Sequence, residues 1–174
     1  MTKNRLLIFT VGHSTRKISD FMKLLDAYKI KELVDIRSIP RSRANPQFNE
    51  KRFAVSLKGH HIRYVHMKGL GGLRRPLKDS ANTYWYNASF RGFADYMQTS
   101  EFRESLLELI SLAKKRQTAI MCAEAVPWRC HRSLIADALL VRDVDVRHIF
   151  SPTNSKPHEL TKSAMVNRLK IVYK

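Results

Sequence analysis

No stretch of this chain approaches the roughly 18 consecutive apolar residues that a membrane-spanning helix requires. Its start, Met1-Thr-Lys-Asn-Arg5, leads into a run containing Thr10, Gly12 and His13, which lacks the apolar core and small-residue cleavage site of a secretory signal. No membrane association is expected, and the expected location is the cytoplasm. Acidic residues are scarce: 15 Asp and Glu stand against 32 Lys and Arg, a formal net charge of +17. The deficit is concentrated. From Arg37 to Lys78 eleven basic residues face the single acid Glu50. Such a balance speaks about partners, and nucleic acid or a nucleotide is the partner it favours; the competing explanation is a solubilising surface.

Cysteine is nearly absent, with only Cys122 and Cys130. Two thiols form neither a disulfide framework nor a four-ligand zinc site on their own. His131, Glu124 or His13 would have to complete such a site at a spacing that matches no usual structural framework. No cofactor is therefore expected, and a metal at Cys122, Cys130 and His131 is the minority alternative. Internal repeats and an interdomain linker are also missing, so the 174 residues are expected to form one domain, 1–174.

What is present is an alternation of short apolar runs with helical periodicity. Leu6 to Val11, Glu32 to Arg37, Ile62 to His66, Thr118 to Cys122 and Val144 to Phe150 read as strands. Between them Ile18 to Leu25, a segment capped by Asn49 and ended by Gly59, Phe90 to Met97, Phe102 to Ala113 and Cys130 to Val141 read as helices. Ser151 to Pro157 reads as a loop and His158 to Leu169 as a terminal helix with Leu160, Ala164 and Leu169 inward. The expected fold class is α/β, a single Rossmann-like or flavodoxin-like three-layer domain with a mainly parallel sheet.

In such sheets ligands bind at the carboxyl ends of the strands, and there the polar residues gather. Cys122-Ala-Glu-Ala-Val-Pro-Trp-Arg-Cys-His-Arg132 packs two thiols, a carboxylate, an imidazole and two guanidiniums between a strand and a helix. Glu124 is the leading base or nucleophile. His131 and His13 are proton carriers, or holders of backbone carbonyls. Cys130, near a helix start and beside Arg129, His131 and Arg132, is either in a setting that favours the thiolate or a buried structural thiol, whereas Cys122 at the end of an apolar strand reads as structural. Asp35 is a further catalytic candidate, or half of a buried pair with Arg37.

Gly12, Ser14 and Thr15 form a turn before a helix that can hold phosphate or simply cap, although the Walker and dinucleotide glycine spacings are absent. Arg37, Arg41, Arg43 and Arg132 suit anion recognition. Gly71 and Gly72 lie in Lys68-Gly-Leu-Gly-Gly-Leu-Arg-Arg-Pro76, which can let backbone approach a ligand, act as a lid, or serve as a passive connection. Tyr84-Trp-Tyr86 offers rings on which bases stack, or core.

Several of these pieces resemble an uncharacterised family catalogued as domain of unknown function 488. They are Val11-Gly-His-Ser-Thr15, Leu33-Val-Asp-Ile-Arg37, Pro40-Arg-Ser-Arg43 with Pro46 and Phe48, Leu70-Gly-Gly72, Met121-Cys-Ala-Glu124, Pro127 and Cys130-His-Arg132, with a weaker echo at Pro157-His158 and Leu160-Thr161. Lys17 departs from the pattern where a serine-like cap belongs. The resemblance implies a compact α/β domain with a shared polar site, and no established reaction or cofactor.

From the residues themselves the expectation is an enzyme, a hydrolase or transferase, acting on a phosphate-bearing substrate. The alternative is a non-catalytic nucleic-acid-binding module.

Overall fold

The computed structural model describes residues 5–174; Met1 to Asn4, part of the segment tested for a signal peptide, lie outside the described residues. Six strands form one sheet: β1 (Leu7–Gly12), β2 (Glu32–Asp35), β3 (Arg63–His66), β4 (Thr118–Cys122), β5 (Asp145–Ser151) and β6 (Asn154–Pro157), in the order β3-β2-β4-β1-β5-β6. The first five pair in parallel and β6 joins the edge antiparallel to β5. Helices α1 (Ile18–Ala27), α2 (Glu50–Gly59), α3 (Ala88–Tyr96), α4 (Ser100–Ala113) and α5 (Arg132–Leu140) complete a mixed α/β architecture, consistent with three layers. No described helix is long and apolar enough to cross a membrane.

The period-2 alternation of a strand divides the core. In β4, Ile120 and Cys122 belong to one apolar cluster and Ala119 and Met121 to the other. Every residue of β4 is buried, and the run Thr118 to Cys122 carries no charge. Leu134 and Ile135 of α5 and Leu106 and Leu109 of α4 fill the first cluster; Phe21 and Leu25 of α1 and Phe53 and Leu57 of α2 fill the second. Phe21, Phe48 and Phe53 meet edge to face at 5.3–5.7 Å, each ring worth about 1.5–3 kcal/mol on burial.

This division positions the site. Strands β1 and β4 are neighbours, yet the helices that follow them, α1 and α5, lie on opposite faces of the sheet. The two chains leaving the carboxyl edge diverge and open a crevice between them.

Three local expectations are corrected. His158 to Leu169 does not form a helix. Ala164–Asn167 (β7) and Lys170–Tyr173 (β8) form an antiparallel hairpin, reversed at Arg168, whose φ of 55° is left-handed. The buried positions are Ile171 and Tyr173, one face of a strand, while Leu160 and Leu169 are exposed. The expected loop from Ser151 to Pro157 contains β6. Asn49 precedes α2 but does not cap it; its side-chain oxygen accepts from the Ser42 N–H instead. Lys17, the departure from the family pattern, sits at the start of α1 in extended conformation with no side-chain cap.

Candidate active site

A cleft of about 680 Å³ opens at the carboxyl ends of β1, β2 and β4. Its size falls within the range of ligand pockets, about 300–1,000 Å³. His13, Ser14 and Thr15 enter from β1, Arg37 and Ser38 from β2, and Cys122 to Ala125 from β4. Arg41, Gly72, Arg129, Cys130 and His131 complete much of the wall.

The turn carrying Glu124 is held from both sides. His13 N–H donates to the Cys122 carbonyl at 3.0 Å and Ser14 N–H to the Ala123 carbonyl at 2.9 Å. The Ser14 amide is therefore committed to the protein, and Ser14 itself has φ 49°. A Cβ on Gly12 would collide with the Glu124 carbonyl, so glycine there permits the close approach of the two strand ends rather than contact with phosphate.

From below, Arg132, fully buried, donates to the Glu124 carbonyl at 2.6 Å, the Ala125 carbonyl at 3.0 Å and the Cys122 sulfur at 2.8 Å. Expected as an anion binder, Arg132 does not line the cleft; its guanidinium tethers the floor. Glu124 is different. Its backbone is fixed, its residue is exposed, and among the described residues its carboxylate makes neither a hydrogen bond nor an ion pair.

Asp35 and Arg37 form the buried pair. Arg37 Nη2 donates to Asp35 Oδ2 at 2.6 Å and Nε to Oδ1 at 2.9 Å, and Tyr64 OH donates to Oδ2 at 2.7 Å. Both Asp35 oxygens are occupied and the residue is wholly buried, which orients Arg37 and leaves Asp35 no access to a ligand. Burial opposes the Arg37 charge, but the Asp35 bonds outweigh it and raise the pKa. Arg37 Nη1 reaches into the cleft, 3.3 Å from His13 Nε2.

The histidines are also committed. His13 Nδ1–H donates to the Ser14 carbonyl at 2.7 Å, leaving Nε2 to accept from Arg37, and the ring stacks on Phe48 at 4.3 Å. Burial lowers its pKa to about 4. His131 Nε2–H donates to the Leu70 carbonyl at 3.0 Å, and its Nδ1 lies 3.7 Å from Cys130 Sγ; burial lowers this pKa to about 4 as well. Both are neutral rings at pH 7 that hold backbone carbonyls, one of the two roles open to them from the sequence.

Gly72 packs on the His131 ring, where a Cβ would clash. The glycine loop is pinned: Leu73 N–H donates to Ser38 Oγ at 3.0 Å, Tyr96 OH to the Gly69 carbonyl at 2.7 Å, and the Arg74 guanidinium lies 3.5 Å from the Tyr96 ring centroid.

The two buried thiols shift in opposite directions. Burial pushes Cys122 up, but hydrogen bonding from Cys130 and the adjacent Arg132 charge more than offset it and bring the thiol down to about 7. Burial and the same Cys122 partner push Cys130 up. Arg132 lowers both thiols, so the bond between them, and not the guanidinium, sets them apart. Among the described residues no group of three or more His, Cys, Asp or Glu is placed to hold a metal.

Arg41 is exposed on the cleft wall, while Arg43 is exposed outside it. Gly71 lies beneath, against Ser38. Ser38, Ser42, Asn45, Phe90 and Arg129 also line the cleft. Ser38, Ser42 and Asn45 lie on loops whose course no periodicity reveals, while Phe90 stands near the start of α3.

An open, mostly parallel α/β sheet with a polar cleft at its topological switch defines the class. Within it the chain belongs to the family Domain of unknown function DUF488, whose model matches residues 17–139. That span contains Asp35, Arg37, Glu124, Cys130, His131 and Arg132 and excludes β1 with His13. No curated protein and no solved structure matches the chain.

Proposed function

We propose that the cleft is the active site of a hydrolase or transferase acting on a phosphate-bearing substrate, a nucleotide or nucleic acid. One observation carries this reading: Glu124 presents an unpaired carboxylate on a turn fixed from both sides, in a cleft shared with the guanidiniums of Arg37, Arg41 and Arg129. A carboxylate left free among cations is positioned for chemistry, since a structural one would be paired, as Asp35 is. Arg41, Arg129 and the Nη1 of Arg37, one of whose two N–H groups faces His13, bind the anion, aided by the hydroxyls of Ser38 and Ser42. Ile39 and Leu73, 62% and 71% exposed, give the apolar part of the ligand a surface.

Glu124 acts as base or nucleophile. His13 and His131 set the shape of the site, each ring donating its proton to a backbone carbonyl. Anion binding is tested by titrating nucleoside monophosphates and inorganic phosphate against Arg41→Ala, expected to weaken binding about tenfold, as loss of a charge-assisted bond does. Unchanged affinity removes the cleft from consideration.

The net charge of +17 also supports the second reading, a nucleic-acid-binding module without turnover. That reading requires steeply salt-dependent binding that is indifferent to Glu124→Gln.

A further inference from the structure

A second cavity, about 560 Å³, lies beside the first. Both tryptophans of the chain, Trp85 and Trp128, line it, with Tyr84, Phe150 and Lys156. Trp128 is 66% exposed and Tyr84 49%, unusual for rings that normally contribute to a core. Their wall is rigid. Asp137 Oδ1 accepts from His158 Nε2–H at 2.8 Å, His158 Nδ1 from His148 Nε2–H at 2.9 Å, and His148 Nδ1 from Thr10 Oγ1–H at 2.6 Å.

That chain satisfies every ring nitrogen in it. Trp85 Nε1, by contrast, is buried with no hydrogen-bond partner among the described residues, and burying a donor unpaired is costly.

The two cavities share a border. Trp128 and Arg129 are consecutive residues of the single turn Pro127–Arg129, the first lining the aromatic cavity and the second the cleft. On the cleft side Phe90 packs against Trp85 with ring centroids 4.8 Å apart. A ligand filling both cavities must carry an anionic group over Arg129 and a planar group among the rings, which is the repeat of a polynucleotide.

We propose that the aromatic cavity seats the base next to the nucleotide held in the cleft, which makes the substrate single-stranded nucleic acid rather than a free nucleotide. Stacking on Trp128 and Tyr84 supplies sequence-tolerant affinity, and Lys156 adds charge. Single strands fit this arrangement because bases within a duplex are already stacked. The proposal rests on the anion-binding reading of the cleft and specifies its substrate.

Because the only two tryptophans line this cavity, fluorescence excited where tyrosine does not absorb reports on it and on its border with the cleft. The full chain is titrated with thymidine monophosphate, single-stranded oligothymidylate and duplex DNA. The expected result is quenching by the single strand and little by the other two. Trp128→Ala should reduce the preference for oligonucleotide over monophosphate about tenfold, and Trp128→Phe should restore much of it, which a merely structural role would not require. If the monophosphate binds in an Arg41-dependent way but the oligonucleotide neither quenches nor binds more tightly, the aromatic seat is overturned and the cleft reading stands. If neither ligand binds, both fall.

Discussion

Glu124 and Asp35 are two carboxylates at adjoining strand ends with opposite fates. Asp35 is consumed by Arg37 and Tyr64, so removing the guanidinium leaves a buried charge without a partner. Arg37→Met is expected to cost about 3–5 kcal/mol of stability, read from denaturant unfolding; a loss below about 1 kcal/mol, the value of an exposed ion pair, would contradict this account of the pair. The thiols diverge similarly. Thiolate absorbance against pH is expected to show one step near 7 from Cys122, displaced upward in Cys130→Ala because the stabilising hydrogen bond is gone. A low step retained in Cys130→Ala and lost in Cys122→Ala would still assign Cys122 but discard Cys130 as its donor. Sequence identified the chemical groups here and not their states. Arg132, counted as a ligand for substrate, lies under the turn, and only three-dimensional contact tells a guanidinium that reaches a carbonyl from one that reaches solvent.

At the scale of elements, the site depends on β1 and β4 ending in register, with Gly12 opposite Cys122. Gly12→Ala forces a methyl group into the Glu124 carbonyl. Such overpacking costs about 1–3 kcal/mol and displaces the turn, so both Tm and any turnover should fall; an unaltered Tm would mean that the turn gives way freely. The strands and helices that make this frame were legible because their apolar periods are clean: Thr118 to Cys122 is uniformly apolar, and Phe102, Leu106 and Leu109 recur on one face of α4. The C-terminal hairpin was not. Leu160, Ala164 and Leu169 imitate a helical stripe, and the reversal at Arg168 uses left-handed backbone without the glycine or asparagine that would announce it. The pairing of β8 is decided by distant partners: Tyr173 OH donates to Asp137 Oδ2 at 2.8 Å, and its N–H to Asn82 Oδ1 at 3.0 Å.

For the whole molecule, burial of neutral histidines links folding to pH. His13 and His131 are lowered to about 4 and His148 to about 3, from 6.5. Below pH 6.5 the unfolded chain takes up protons that the folded chain refuses, so stability present above that pH is lost as pH falls toward 4. Tm should therefore decline through this window, and less steeply in His148→Gln. A Tm flat from about pH 7 to 4.5 would mean that these rings are not buried neutral. The net positive charge and the α/β class were evident from composition and alternation, whereas the second cavity depends on which of the aromatics between Tyr84 and Phe150 converge.

The central claim is that the free carboxylate of Glu124 performs chemistry on a phosphate-bearing ligand, and the most direct measurement compares wild type with Glu124→Gln for both binding and turnover of a single-stranded oligonucleotide. The expected result is a loss of turnover of about 10²–10⁴-fold, the usual contribution of a positioned acid or base, with affinity nearly retained because the arginines are untouched. Equal turnover by the two proteins, or tight binding by wild type with no product at all, would contradict it.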